Sequence, residues 1–346
     1  MKALVWENGE RISLTERPYP VMQTQSDVVI KIRYSGICGT DLQVVKGNET
    51  ITPDIIMGHE AVGEIVEKGK HVTEYELGDL VIIDPNQYCC DCENCKKGRT
   101  NFCTGWNGGL KIAGINVDGT FAEYFCCHKR YVYKVPDGMR MEAAVLIEPM
   151  ACVLNNLRAA DIKEHESVLV MGSGPMGALC QMIAKNNAGL VVATENSDYR
   201  IGECSKFSDY IYKSDALTTE KIREINQGHL FDVIIDTVGN QLEHALTLCE
   251  KGGRVIPMGM NKVYSCGIKP YQFISGGIRL IGASEYNQLF CDTIQAARRF
   301  PLLESIVTKK YPVTEYRSAL REVLGYDPET GKREEITQMK VVLEFQ

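Results

Sequence analysis

Residues 167–195 read SVLVMGSGPMGALCQMIAKNNAGLVVATE, and the order of residue types here decides the architecture of the second half of the chain. SVLVMG is a continuous apolar run ending in glycine, which suits a strand buried on both faces. PMGALCQMIAKNNA suits a helix, because proline fits the first helical turn, where its missing N–H costs nothing. LVVATE is a second buried strand. Between strand and helix stand Gly172, Gly174, Pro175, Met176 and Gly177. Glycines at this spacing permit a tight turn and let the backbone approach a pyrophosphate, whose charge the helix N-terminus favours. Glu195 closes the next strand eighteen residues after Gly177, where a carboxylate can hold the adenosine ribose hydroxyls. The alternative, a glycine turn that serves packing alone, loses ground in this strand–turn–helix context. Glu195 is followed by Asn196 and Ser197 rather than a base, which favours NAD over NADP.

The same rhythm continues outward. FDVIIDTVG, GGRVIPMG and IRLIGAS read as further strands, with TTEKIREINQG and QLEHALTLCE as helices between them. Strands alternating with helices of about ten residues imply a doubly wound parallel sheet. Before residue 150 the pattern differs. DVVIKIRYSG, AVGEIVEKG and GDLVIIDP are short strands punctuated by Gly and Pro, and the chain ends in the strand-like KVVLEF. GYDPETGKREE (325–335) reads as a polar surface loop. A chain of 346 residues is long for one core and suggests two domains.

The composition narrows the class. The net charge of −7 gives no footing for nucleic acid or anionic membrane surfaces. No apolar run approaches the roughly 18 residues that a membrane span needs, and the charged N-terminus MKALVWENGERISLTERPYP lacks the apolar core of a signal peptide. Fourteen cysteines without an export signal point to a reducing cytoplasm, where clustered thiols are metal ligands more often than disulfides.

Five of those cysteines fall in YCCDCENCKKGRTNFC (88–103). Setting Cys90 aside as an uninvolved thiol, the spacing is Cys89-x2-Cys92-x2-Cys95-x7-Cys103. Four thiolates on a short polar lobe suit a closed tetrahedral zinc site with a folding role. An iron–sulfur cluster is the competing reading, but ferredoxin runs keep a short last gap followed by proline. A second metal set is scattered: Cys38 in SGICGTDLQ, His59 and Glu60 in MGHEAVGE, and Glu148 in LIEPM. Cys38, His59 and a carboxylate would leave a fourth position open, the catalytic type of zinc site. Such a zinc can hold an alcohol oxygen and stabilise the alkoxide from which hydride leaves, and a nicotinamide can accept that hydride.

In order along the chain, GICGTD, GHEAVGEI, the four-cysteine lobe, DGTFAEY, LIEP, GSGPMG and IIDTVGN resemble the zinc-dependent medium-chain alcohol dehydrogenases, and within them the sorbitol dehydrogenase-like polyol branch. The resemblance spans nearly the whole chain. It implies an α/β plus β architecture: a GroES-like catalytic domain (1–152 and 285–346, zinc lobe 86–105) with an inserted Rossmann NAD-binding domain (153–284). It also implies homodimers or homotetramers, two zincs per chain and NAD. Carried over by position, Cys38, His59, Glu60 and Glu148 are the catalytic zinc ligands, with Glu60 and Glu148 able to exchange. Thr40 takes the substrate proton. Met176, Glu195, Arg200, Met258, Gly259 and Ser284 contact NAD.

Three positions depart from the family pattern. Gln43 replaces a histidine that passes the proton to solvent, and Gln43 cannot titrate. Val44 stands where sorbitol dehydrogenase has a substrate-side tyrosine. Glu285 and Tyr286 align with an Arg-Tyr pair that faces the polyol. A carboxylate there would favour a cationic group near the substrate, hence an amino-polyol or amino-sugar; a Glu285 turned outward would not. The expectation is reversible oxidation of a polyol-like hydroxyl. The alternatives are a threonine 3-dehydrogenase-like, sugar-acid or cyclitol dehydrogenase, or a zinc- and dinucleotide-binding protein without turnover.

Overall fold

The computed structural model describes residues 1–106, 108–327 and 330–345, so Pro328 and Glu329 of the polar 325–335 loop lie outside the described residues. The chain divides into two compact units, Met1–Ala151 with Asn287–Gln346, and Cys152–Tyr286.

The first unit is built on a seven-stranded sheet. Its path runs Val307–Pro312, Lys340–Glu344, Asp27–Gly36, Glu60–Lys68, Leu80–Ile83 and Val132–Lys134, with Tyr124–His128 pairing beside Asp27–Gly36. The last strand, Lys340–Glu344, runs antiparallel to Asp27–Gly36 with Val342 opposite Gly36, while Gly36 also faces Glu60 across the other edge. Val28, Ile30, Ile32, Ile65, Val81, Ile83 and Phe121 fill the core. Register fixes every side chain's face at period two, so these pairings bring the ends of three distant segments to one place.

The second unit carries a six-stranded sheet, all of whose pairings are parallel. In spatial order its strands are Tyr210–Tyr212, Leu190–Thr194, Ser167–Met171, Phe231–Asp236, Cys249–Pro257 and Arg279–Leu280. Numbered along the chain, that is 3-2-1-4-5-6, the dinucleotide-binding order, whose direction reverses at Ser167–Met171. Every residue of that strand is buried, as its uninterrupted apolar sequence requires. The expected IRLIGAS strand is shorter, Arg279–Leu280 alone, because it is an edge and both residues are exposed. Glu166, just before the strand Ser167–Met171, and Arg254, within the strand Cys249–Pro257, form an ion pair, each with a largely buried side chain. Among the described residues no helix is long and apolar enough to cross a membrane.

Candidate active site and metal centres

Cys38 lies one residue beyond the strand Asp27–Gly36 and caps the short helix Gly39–Val45. The Cys38 N–H donates to the Asp41 carboxylate at 2.8 Å, which fixes the cysteine backbone where strand gives way to helix. Glu60 opens the neighbouring strand Glu60–Lys68, and His59 immediately precedes it. Gly58 before them has a φ of +88°, and a side chain there would strike the Phe121 ring. Only glycine meets both conditions. Because Gly36 pairs with Glu60, the sulfur, the imidazole and the carboxylate converge, with one ligand atom from each lying within 4.8 Å of the others. Glu148 is buried on the first turn of the helix Ile147–Ala160 and does not belong to this group.

The electrostatics of this cluster fit a cation. His59 and Glu60 are buried, yet His59 Nδ1 and Glu60 Oε1 meet no hydrogen-bond donor or acceptor among the described residues. Buried polar atoms are normally satisfied, and here two of them converge with a cysteine sulfur, a set that fits a metal ion. Glu60 Oε2 forms an ion pair with the Lys340 ammonium, which is itself buried. Burial, with a further push from Glu60, raises the Cys38 thiol to about 12, and Lys340 acts against it. Thr40 Oγ1 lies 3.8 Å from Cys38 Sγ. The donor set of one sulfur, one imidazole and one carboxylate is the chemistry of an open zinc site.

The second thiol group is the four-cysteine lobe. The sulfurs of Cys89, Cys92, Cys95 and Cys103 all lie within 4.8 Å of one another. Backbone N–H groups of Asp91 and Cys92 point at Cys89 Sγ, and that of Thr104 at Cys92 Sγ, at 3.3–3.4 Å. These donors favour thiolate: they hold Cys89 below its ordinary value and bring Cys92 down to about 5, whereas burial pushes Cys95 up to about 12. A side chain at Gly105 would collide with Cys89 Sγ. Cys90 stands outside the group, exposed and in contact with Arg130. The long gap between Cys95 and Cys103 is clamped by Asn287. Its Oδ1 accepts from Thr100 N and Oγ1 at 3.0 and 2.7 Å, and its Nδ2 donates to Gly98 O at 2.6 Å.

In the second unit the glycine turn has the expected build. Gly172 has a φ of +91°, and a Cβ on Gly177 would run into the Gly172 carbonyl, so both are confined to glycine. Pro175 starts the helix Pro175–Ala184, and Met176 is half-buried on its first turn. Glu195 Oε2 accepts from Ser173 N at 3.0 Å, and Oε1 accepts from Asn196 N and Ser197 N at 2.6 and 3.0 Å. Arg200 Nη1 sits 4.0 Å from Glu195 and alongside Gly174. Met258 and Gly259 both donate their N–H to Asp236 O, and Met258 Sδ touches Cys180 Sγ at 3.7 Å. Ser284 has a φ of +57°. Asn155 Nδ2 holds the Ala283 and Ser284 carbonyls at 2.9 and 3.1 Å.

Of the residues expected near substrate, Gln43 accepts from Asn48 Nδ2 at 3.0 Å. Val44 is packed in the apolar core of the first unit. Glu285 is half-buried and Tyr286 buried. Sequence reasoning missed Asp41, Lys340 and Asp236. The Asp236 carboxylate accepts from the N–H groups of Val238, Gly239 and Gln241, closing the turn at the end of the next strand. Its signal was in the sequence: an aspartate at a strand end, three residues before a glycine, is turn chemistry.

Fold and site together define a dinucleotide-linked, zinc-binding oxidoreductase. Residues 24–137 match the family model of the alcohol dehydrogenase GroES-like domain, and residues 175–300 that of the zinc-binding dehydrogenases. The chain is 28% identical to the sorbitol dehydrogenase of Bacillus subtilis (strain 168) over 344 residues, covering 96% of each protein. It is 35% identical to the L-threonine 3-dehydrogenase of Pyrococcus furiosus over 245 residues, 68% of each. Its fold is shared with an alcohol dehydrogenase from Escherichia coli CFT073 solved with NADH, at a TM-score of 0.88 and 24% identity, covering 100% of this chain and 99% of that one. The chain belongs to the zinc-dependent medium-chain alcohol dehydrogenase family.

Proposed function

We propose that this protein oxidises a hydroxyl of a polyol or sugar alcohol to the carbonyl, reversibly, with NAD as acceptor. The observation that carries this is the convergence of Cys38, His59 and Glu60 with an imidazole nitrogen and a carboxylate oxygen left unsatisfied in a buried site. The full-length likeness to a sorbitol dehydrogenase supports the choice of substrate class. When bound, zinc polarises the hydroxyl oxygen and NAD accepts the hydride.

The chain's own residues supply the rest. Cys38, His59 and Glu60 hold the metal, with Glu148 as the carboxylate that can exchange with Glu60. The Thr40 hydroxyl, close to Cys38 Sγ, receives the substrate proton. Gln43 cannot pass it on as an acid or base, so the proton leaves through water. The glycine turn and the helix Pro175–Ala184 receive the pyrophosphate, and Glu195 takes the ribose hydroxyls. An exposed edge strand at Arg279–Leu280, with Val263, Tyr271 and Ile274 exposed in the preceding segment, supports self-association through this unit. Free thiols in this number support a reducing, cytoplasmic setting.

The 35% identity to a threonine 3-dehydrogenase favours a second reading, oxidation of the hydroxyl of an amino acid. NADH formation across polyols, their 2-amino analogues, sugar acids and threonine separates the two. A polyol should give the highest kcat/KM. Turnover of threonine alone would overturn the polyol reading. A preference for the 2-amino analogue that disappears in Glu285→Gln would place Glu285 at the substrate.

A further inference from the structure

Among the described residues, the first unit buries one Lys or Arg side chain, Lys340, at 3% exposure. It sits at the start of the last strand. Ile37 N donates to Val341 O at 3.0 Å in the ladder between that strand and Asp27–Gly36, so Lys340 comes level with Cys38. Its ammonium pairs with Glu60, which is 1% exposed. Gly36 makes room for the pair. A Cβ there would collide with the Glu60 carboxylate and lie 3.0 Å from Lys340 Cε.

Burying an ammonium carries a large desolvation cost, and apolar residues of the same volume often serve stability as well or better. Stability alone therefore does not account for this pair. Its position does: Lys340 is the buried cation paired with Glu60 and level with Cys38, beside two of the three residues that converge on the metal site.

We propose that Lys340 is a positioning residue of the metal site. It holds the Glu60 carboxylate beside Cys38 and His59 and offsets part of the charge gathered there, so that the site retains zinc. The proposal rests on the zinc dehydrogenase reading for the identity of the metal and is independent of the substrate. Partners that orient a metal ligand typically contribute about 10- to 100-fold in metal affinity.

The test is a titration of metal-free protein with zinc against a chromophoric chelator, for wild type, Lys340→Met, Glu60→Gln and the double variant. Lys340→Met should weaken the three-residue site by about 10- to 100-fold and leave the four-cysteine lobe unchanged, the lobe serving as internal control. In the Glu60→Gln background the same change should add nothing. An unchanged affinity in Lys340→Met, with only a lower Tm, would overturn the proposal. If Lys340→Met holds neither metal, the double variant decides, since withdrawing both partners leaves no orphaned charge. Affinity matching Glu60→Gln supports the proposal, and wild-type affinity overturns it. Absence of turnover with every polyol would strike the substrate assignment and leave these titrations as they stand.

Discussion

The Glu195 carboxylate is already engaged by three backbone N–H groups, from Ser173, Asn196 and Ser197. That grip holds it at the rim of the glycine turn, where, on the reading proposed above, its charge would decide between a ribose hydroxyl and a 2′-phosphate. Arg200, 4.0 Å away, is the counter-charge that a phosphate would use if the carboxylate were neutral. Glu195→Gln keeps an acceptor for the N–H groups and removes the charge. The ratio of kcat/KM for NAD to that for NADP should then fall by about 10-fold or more, since a hydrogen bond to a charged group contributes about 1.5–3 kcal/mol. Steady-state kinetics with both cofactors check this, and a ratio that stays put would separate Glu195 from cofactor choice.

At the scale of elements, the parallel sheet depends on a buried pair as well as on apolar contacts. Burial pushes the Glu166 carboxyl up, but bonds from Arg254 and from Lys163 N outweigh it, and Glu166 lies below its ordinary value. Arg254→Met should destabilise the unit Cys152–Tyr286 by about 3 kcal/mol, because it strands a buried carboxylate; urea unfolding measures this. A depressed carboxyl contributes fully above its unfolded pKa of about 4.3 and loses that contribution as pH falls through the folded value. The gap between wild type and variant should therefore close below about pH 4. The strands of this sheet were legible in the sequence because parallel strands buried on both faces are written as unbroken apolar runs, as in Ser167–Met171. The edge Arg279–Leu280 was legible only in part, since IRLIGAS has the composition of a longer strand. Lys340 and Asn287 were illegible. Their partners, Glu60 and the pair Gly98 and Thr100, lie far away in sequence, and nothing local marks a lysine as buried or an asparagine as a clamp.

For the molecule as a whole, two metal sites of different kinds divide the labour: one closed by four sulfurs, the other with three ligands and unsatisfied atoms. Cys103→Ser should reduce zinc from two to one per chain by elemental analysis. It should shorten the half-life of activity on heating, while the initial rate at low temperature changes little, since a closed site has no chemical step to perform. Loss of both metals would tie the lobe to the fold of the entire first unit. The pairing of Glu60 with Lys340 has a consequence in time as well as in space. At synthesis rates of roughly 5–20 residues per second, the about 280 residues between them take on the order of 15–60 s to appear. During that interval the nucleotide-binding unit, Cys152–Tyr286, can emerge and fold whole, while the nascent first unit still lacks the strand that completes its metal site. On the proposed role of Lys340, stable metallation of the three-residue site belongs after translation, once the last strand has joined the sheet, and a ribosome stalled short of residue 340 would carry an enzyme half-armed: its nucleotide-binding unit complete and its reactive metal loosely held.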